Sequence, residues 1–265
     1  MAHRVVKCLA VLAVLVVSAL PQTLSAQVQI YARQLTLLMP PDPADRQISV
    51  VVTPGLASNA GLPDALKLAR QAMFDGTEVT PADLRALADR NDGLAAQKYV
   101  RLLLADPTAT PSDIAYYGTI AVGTGRVWSL PAAIDAMRLL DPATEPVERT
   151  RAYVRMLYPH AWAGNALAFD AVIDLNGEGR LFGALSEETR AKILAQDAVN
   201  GDGRGVMRMA LALMSLPSRT PEQEALIDDY LKRAAAVVDN LAVSVTATNL
   251  LDLRRNPAGI TVASE

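Results

Sequence analysis

The chain has 265 residues, 51% of them hydrophobic and 5% aromatic, with 25 Lys and Arg against 28 Asp and Glu. A net charge of −3 with no basic block argues against nucleic acid or an anionic membrane surface as the main partner. The single cysteine, Cys8, lies in the N-terminal apolar run. A chain processed beyond that run has no thiol for a disulfide, a thiolate zinc site, an Fe–S cluster or a nucleophile.

Residues 1–26 read as a secretory signal peptide: Arg4 and Lys7, an apolar run from Cys8 to Leu20, Pro21, then small residues Ser25 and Ala26 before the expected cleavage. The run is short of the roughly 20 apolar residues of a membrane-spanning helix. The expected product begins at Gln27, is periplasmic, and does not insert in the membrane. Removing Arg4 and Lys7 leaves 25 − 2 = 23 basic against 28 acidic residues, a net charge of −5. Residues 27–55 form an extended leader in which "QISVVVT" (47–53) alternates enough for a strand ended by Pro54-Gly55. Such a strand would pack on the first repeat or add to a partner's sheet edge. Residues 56–255 read as one α-helical repeat domain and 256–265 as a disordered tail.

Polar breaks recur along the helical region. With Asp92, Asn165, Asp202 and Asn240 as markers, the separations are 73, 37 and 38, so one marker is missing near "GTGRVW" at 123–128. A fixed period of this length is the mark of a repeat architecture. A second landmark runs out of phase: "TPAD" (80–83), "TPSD" (110–113), "TEPVE" (144–148), "LSEET" (185–189) and "TPEQ" (220–223). Thr80, Thr110, Ser186 and Thr220 can cap a helix N-terminus, with proline following three of them at the first helical position. Gln223 completes a capping box with Thr220.

The pattern predicts five helix pairs. First helices are expected at 62–75, 93–106, 130–140, 165–175 and 203–215, and second helices at 81–90, 111–122, 146–161, 186–199 and 221–238. Each first helix carries apolar residues at helical spacing, such as Leu66, Ala69 and Met73. A last apolar helix at 241–255 would cap the array. The predicted fold is an all-α solenoid of antiparallel helix pairs.

The segment "DLNGEGRLFGALSEETRAKILAQDAVNGDGRGVMRMALAL" (174–213) resembles Sel-one-like repeats, relatives of the tetratricopeptide repeat, and "YLKRAAAVVDN" (230–240) fits the end of their second helix. The resemblance spans about 55–240; in "LLLADPTATP" (102–111) the Gly-x-Gly turn is replaced, and period and capping define the unit there. It implies a scaffold for protein interaction without catalysis, acting as a regulator of an envelope sensor or in polysaccharide export. Its partner would be a protein or peptide held on the concave face of the first helices. Lys67, Arg70, Lys98, Arg101, Asp170, Asp174, Arg204 and Arg208 are the expected contact residues, as the polar positions of those helices. An alternative is a non-catalytic accessory to a glycan-processing enzyme, although a glycan groove would want more aromatic residues.

Two motifs bear on chemistry. "DLNGEGRLFG" (174–183) starts with the spacing of a calcium-binding EF-hand loop, which offers a weak calcium site as a further alternative. Position 12 of such a loop needs a bidentate Glu, but Leu185 stands there, so the repeat-turn reading is preferred and no metal or other cofactor is expected. His160, beside Tyr158 and Trp162, reads as a packed residue. The acid pairs Glu187/Glu188 and Asp228/Asp229 read as solvated helix faces, and no catalytic residue is assigned.

Overall fold

The computed structural model describes residues 48–256, which fold as eleven α-helices and one short 3-10 turn, with no strand among them. The helices are α1 (Asp64–Phe74), α2 (Pro81–Ala88), α3 (Gly93–Ala105), α4 (Pro111–Gly123), α5 (Leu130–Met137), α6 (Val147–Trp162), α7 (Ala166–Leu175), α8 (Glu187–Asn200), α9 (Arg204–Met214), α10 (Pro221–Ala235) and α11 (Leu241–Arg255). The expected first helices are α1, α3, α5, α7 and α9; the second are α2, α4, α6, α8 and α10. The signal peptide over 1–26, the leader up to residue 47 and the tail beyond Asn256 lie outside the described residues.

The chain divides into two compact units, one over the described residues 48–200 and one over 201–256, where the sequence suggests a single repeat domain from 56 to 255. In the larger unit each of α1 to α4 packs on its successor, α4 packs on α5 and α6 on α7. Second helices also pack on one another (α2 on α4, α4 on α6), as do the first helices α5 and α7. This is the pattern of stacked hairpins, and it is compatible with a helical solenoid. One core cluster joins Leu62, Leu66 and Met73 of the first pair to Leu84, Leu87 and Ala95, and the next joins Ala96, Val100 and Leu103 to Tyr117 and Ala121. These residues recur at three- and four-residue steps, which puts them on one side of each helix.

Three of the four periodic markers are caps, of the first helices α3 and α7 and of the last helix α11; the fourth, Asp202, accepts from the Arg204 amide while Gly203 holds the cap position of α9 without a side-chain bond. Asp92 Oδ1 accepts from the Leu94 and Ala95 amides at the start of α3, Asn165 Oδ1 from Ala168 at the start of α7, and Asn240 Oδ1 from Val243 at the start of α11. The missing marker has a structural counterpart. At α5 the cap position is Ser129, which makes no side-chain cap bond, and the 3-10 turn Val127–Ser129 leads into the helix instead. The out-of-phase landmark caps four of the five second helices: Thr80, Thr110 and Ser186 accept from Asp83, Asp113 and Thr189 amides, and Thr220 with Gln223 forms the full capping box, while α6 starts after Pro146 without a side-chain cap. In the smaller unit, α10 packs between α9 and α11, and Arg254 of α11 closes on Asp228 and Glu224 of α10 at 2.9 Å each.

Candidate interaction surface

The first helices distribute their polar residues unevenly. Asp170 and Arg208 are 3% and 5% exposed, so neither lies on an open face as expected. The reason is that α7 and α9 have no outer side over these stretches: every residue from Leu167 to Ile173 and from Gly205 to Leu211 is buried. Arg70 is also misplaced by the sequence reading. Its Nε donates to Asp92 Oδ2 at 2.7 Å, its two terminal nitrogens donate to Asn59 Oδ1 and the Leu56 carbonyl, and its guanidinium lies over Phe74. It is a structural clamp. Asp174 is half-buried and paired with Arg138 at 2.9 Å, tying α7 to the end of α5. Lys67 pairs with Asp64, and Arg204 sits half-buried beside Asp202. Lys98 is half-buried and Arg101 exposed; with Leu102 they occupy positions i, i+3 and i+4, one face of α3.

The extended segment 48–56, called the strap here, forms no strand. Its bonds go instead to the turns that join successive helix pairs. The Ile48 carbonyl accepts from Asn165 Nδ2 at 3.2 Å and the Val50 amide donates to His160 Nε2 at 3.2 Å, both at the α6–α7 turn. Ser49 Oγ donates to the Gly125 carbonyl, and the Val52 and Thr53 amides both donate to the Gly123 carbonyl, at the α4–α5 turn. The Leu56 amide donates to the Asn91 carbonyl at the α2–α3 turn. Asn91 has φ 61, a left-handed conformation that asparagine tolerates. Gly125 has φ +97, and a Cβ there would stand 3.2 Å from the Val51 side chain, so the close approach needs glycine.

His160 is fully buried with the strap in place, and its two ring nitrogens have fixed roles. Nδ1 lies 2.8 Å from the Met156 carbonyl and must carry the proton; Nε2 is left to accept from Val50. Burial pushes the ring below the usual histidine range, with the Met156 carbonyl acting in the opposite sense. An unfolded histidine titrates near 6.5. Below about that pH the unfolded chain takes up a proton that the folded ring resists, so stability falls until the folded ring is itself protonated. A protonated Nε2 would also turn a donor toward the Val50 N–H. The loss of unfolding free energy between about pH 7 and pH 5 is therefore expected to be smaller in His160→Gln than in the unaltered chain, measured by denaturant titration. Equal losses would contradict the assigned roles.

Two polar clusters that the sequence did not reveal bind second helices together. Tyr117 of α4 donates to Asp89 and accepts from Arg85 Nε, both at 3.0 Å; burial and then Asp89 push its hydroxyl up to about 12. Between α4 and α6, Glu145 accepts from Tyr153 at 2.6 Å and from Ser112 at 3.1 Å, while Arg149 donates to Ser112 and pairs with Asp113. Burial, then the Glu145 carboxylate, raise the Tyr153 hydroxyl far above its ordinary value. A serine hydrogen-bonded to a carboxylate could suggest a nucleophile with its base. Here the carboxylate is buried and shared with a tyrosine, and the serine is held by a guanidinium, so the cluster acts as a bracket.

In the stretch Asp174–Gly183 the first would-be calcium ligands are engaged elsewhere. Asp174 pairs with Arg138, and the Asn176 amide accepts from Tyr158 and donates to the Val172 carbonyl. Backbone bonds from Gly177 to Gly183 at 2.7 Å and from Phe182 to Leu175 at 2.9 Å close the loop, with Gly177 at φ 139 and Gly179 at φ 70. This is a compact turn ending α7. No protein-family model matches the chain, and no curated protein or solved structure matches it.

Proposed function

We propose that the chain is an exported, non-catalytic helical-repeat scaffold of the bacterial envelope that holds a protein or peptide partner on the exposed face of its first helices. One observation carries this reading. In the larger unit the large apolar residues left in solvent within helix interiors lie on first helices: Leu68 of α1 is 72% exposed and Leu102 of α3 is 42% exposed, while the exposed Leu104 stands at the end of α3. On second helices Val147 and Val199 are exposed too, but at helix ends. Leucines interleaved with Lys67, Lys98 and Arg101 offer burial and charge to a segment carrying apolar and acidic side chains. The capped, periodic helix pairs and the resemblance to Sel-one-like repeats support the scaffold class, with regulation of an envelope sensor or assistance to polysaccharide export as its settings. Reversing charge at Lys98 and Arg101 (Lys98→Glu with Arg101→Glu) is expected to change stability by no more than about 0.5 kcal/mol per site. The same change is expected to abolish recovery of the partner from an envelope extract.

A further inference from the structure

The strap and the turns that hold it are unequal in construction. On the turn side the groups are held by bonds that do not involve the strap: the Asn165 amide is oriented by its cap bond to Ala168, and the His160 ring by Met156. Arg70 is set by Asp92, Asn59 and Phe74, and aimed at the Leu56 carbonyl. On the strap side nothing is anchored by burial. No residue from Ile48 to Gly61 is buried, and Val51 is 66% exposed. Ile48, Val50 and Val52 are half-buried while Ser49 and Val51 are exposed, the period-two alternation of an extended chain lying on a surface.

The bonds from the turns to the strap are almost all to its main chain. Acceptors at His160, Gly123 and Asn91 take the amides of Val50, Val52, Thr53 and Leu56, and donors at Asn165 and Arg70 reach the carbonyls of Ile48 and Leu56. Main-chain bonds of this kind hold an extended peptide whatever its sequence, and alternate side chains then select it. The strap spans three turns, and at roughly 3.3 Å per residue its nine residues cover the two intervals between helix pairs packed about 8–10 Å apart. A charged side chain in place of Ile48, Val50 or Val52 would be desolvated against neutral buried groups.

We propose that this seam of turns is a main-chain-reading groove, kept filled by residues 48–56, in which an extended, uncharged, β-branched segment of a partner protein replaces the strap. Lys98, Arg101 and Leu102 make none of the bonds to the strap, so the charge reversal on α3 and the strap test read different residues and either can fail alone. The test uses the full chain carrying Val50→Pro, which removes the amide that bonds His160, and a fluorescent peptide of the strap sequence, ISVVVTPGL. The variant is expected to bind the peptide at least tenfold more tightly than the unaltered chain, whose own strap competes at high effective concentration. The same peptide N-methylated at the amides equivalent to Val50 and Val52 is expected to lose that binding. Equal binding of both peptides would overturn the proposal, as would no binding to a folded variant. Strap exchange between two copies, seen as a dimer by light scattering, would also count against it. Hydrogen exchange of the unaltered chain decides the matter even if the variant does not fold. The Val50, Val52 and Leu56 amides are expected to exchange by local opening, well before those of α4 and α6. Exchange of these amides only on global unfolding would overturn the proposal.

Discussion

Replacing Asp92 with alanine is expected to destabilise the protein by about 3–5 kcal/mol, the cost of breaking a buried pair by removing one partner. The Asp92 side chain is 4% exposed and that of Arg70 12%, so solvent screens the pair little. One carboxylate does two jobs: Oδ1 caps α3 through the Leu94 and Ala95 amides, and Oδ2 receives Arg70. Alanine removes the cap, worth about 1 kcal/mol alone, and leaves a largely buried guanidinium with two neutral acceptors, Asn59 and the Leu56 carbonyl, but without its anion. Asp92→Asn keeps a capping oxygen but loses the charge and puts an amide NH2 where Arg70 Nε needs an acceptor, so it should retain the cap contribution alone and cost less than alanine. Chemical denaturation of the three chains measures the order; equal stabilities would refute the dual role.

The second large effect is steric. A Cβ built on Gly118 of α4 would stand 2.7 Å from Ala133 Cβ and 3.2 Å from Ala133 Cα on α5, closer than atoms of two packed helices can settle. Neither atom belongs to a flexible side-chain end, so relief requires the helices to separate. Gly118→Val is expected to cost about 3 kcal/mol, the upper part of the range for overpacking. Gly118→Ala should be milder, and adding Ala133→Gly should recover part of its loss, a coupling that a double-mutant cycle measures. Additive effects would show that the helices do not meet at this pair.

Helix positions were legible in the sequence because their signals are local. Thr80 with Asp83, Thr110 with Asp113, and Thr220 with Gln223 are each complete within four residues, and all three cap bonds form. The strap was half legible. Its alternation marks extended chain, but its bonding partners lie far off in sequence, His160 being 110 residues from Val50 and Asn165 117 from Ile48. No local pattern shows that they are single acceptors and donors at turns instead of a second strand. Contact residues were the least legible. Arg70, Asp170 and Arg208 are polar positions of first helices, yet one is clamped by a residue 22 positions away and two lie in stretches buried on all sides. Ser112, Glu145, Arg149 and Tyr153 were missed because they come together only when α4 packs on α6.

Docking of a partner protein on the first-helix face of the larger unit is a proposal with a direct test. Parallel affinity capture from a native envelope extract tests it most directly, with the unaltered chain, the Lys98→Glu/Arg101→Glu chain and a control reversed on the exposed face of α6 (Glu148→Lys/Arg151→Glu). Recovery of one partner by the unaltered chain and the α6 control, and its loss from the α3 variant with melting unchanged, is the expected result. Equal recovery by all three chains, or loss only from the α6 control, would contradict the account.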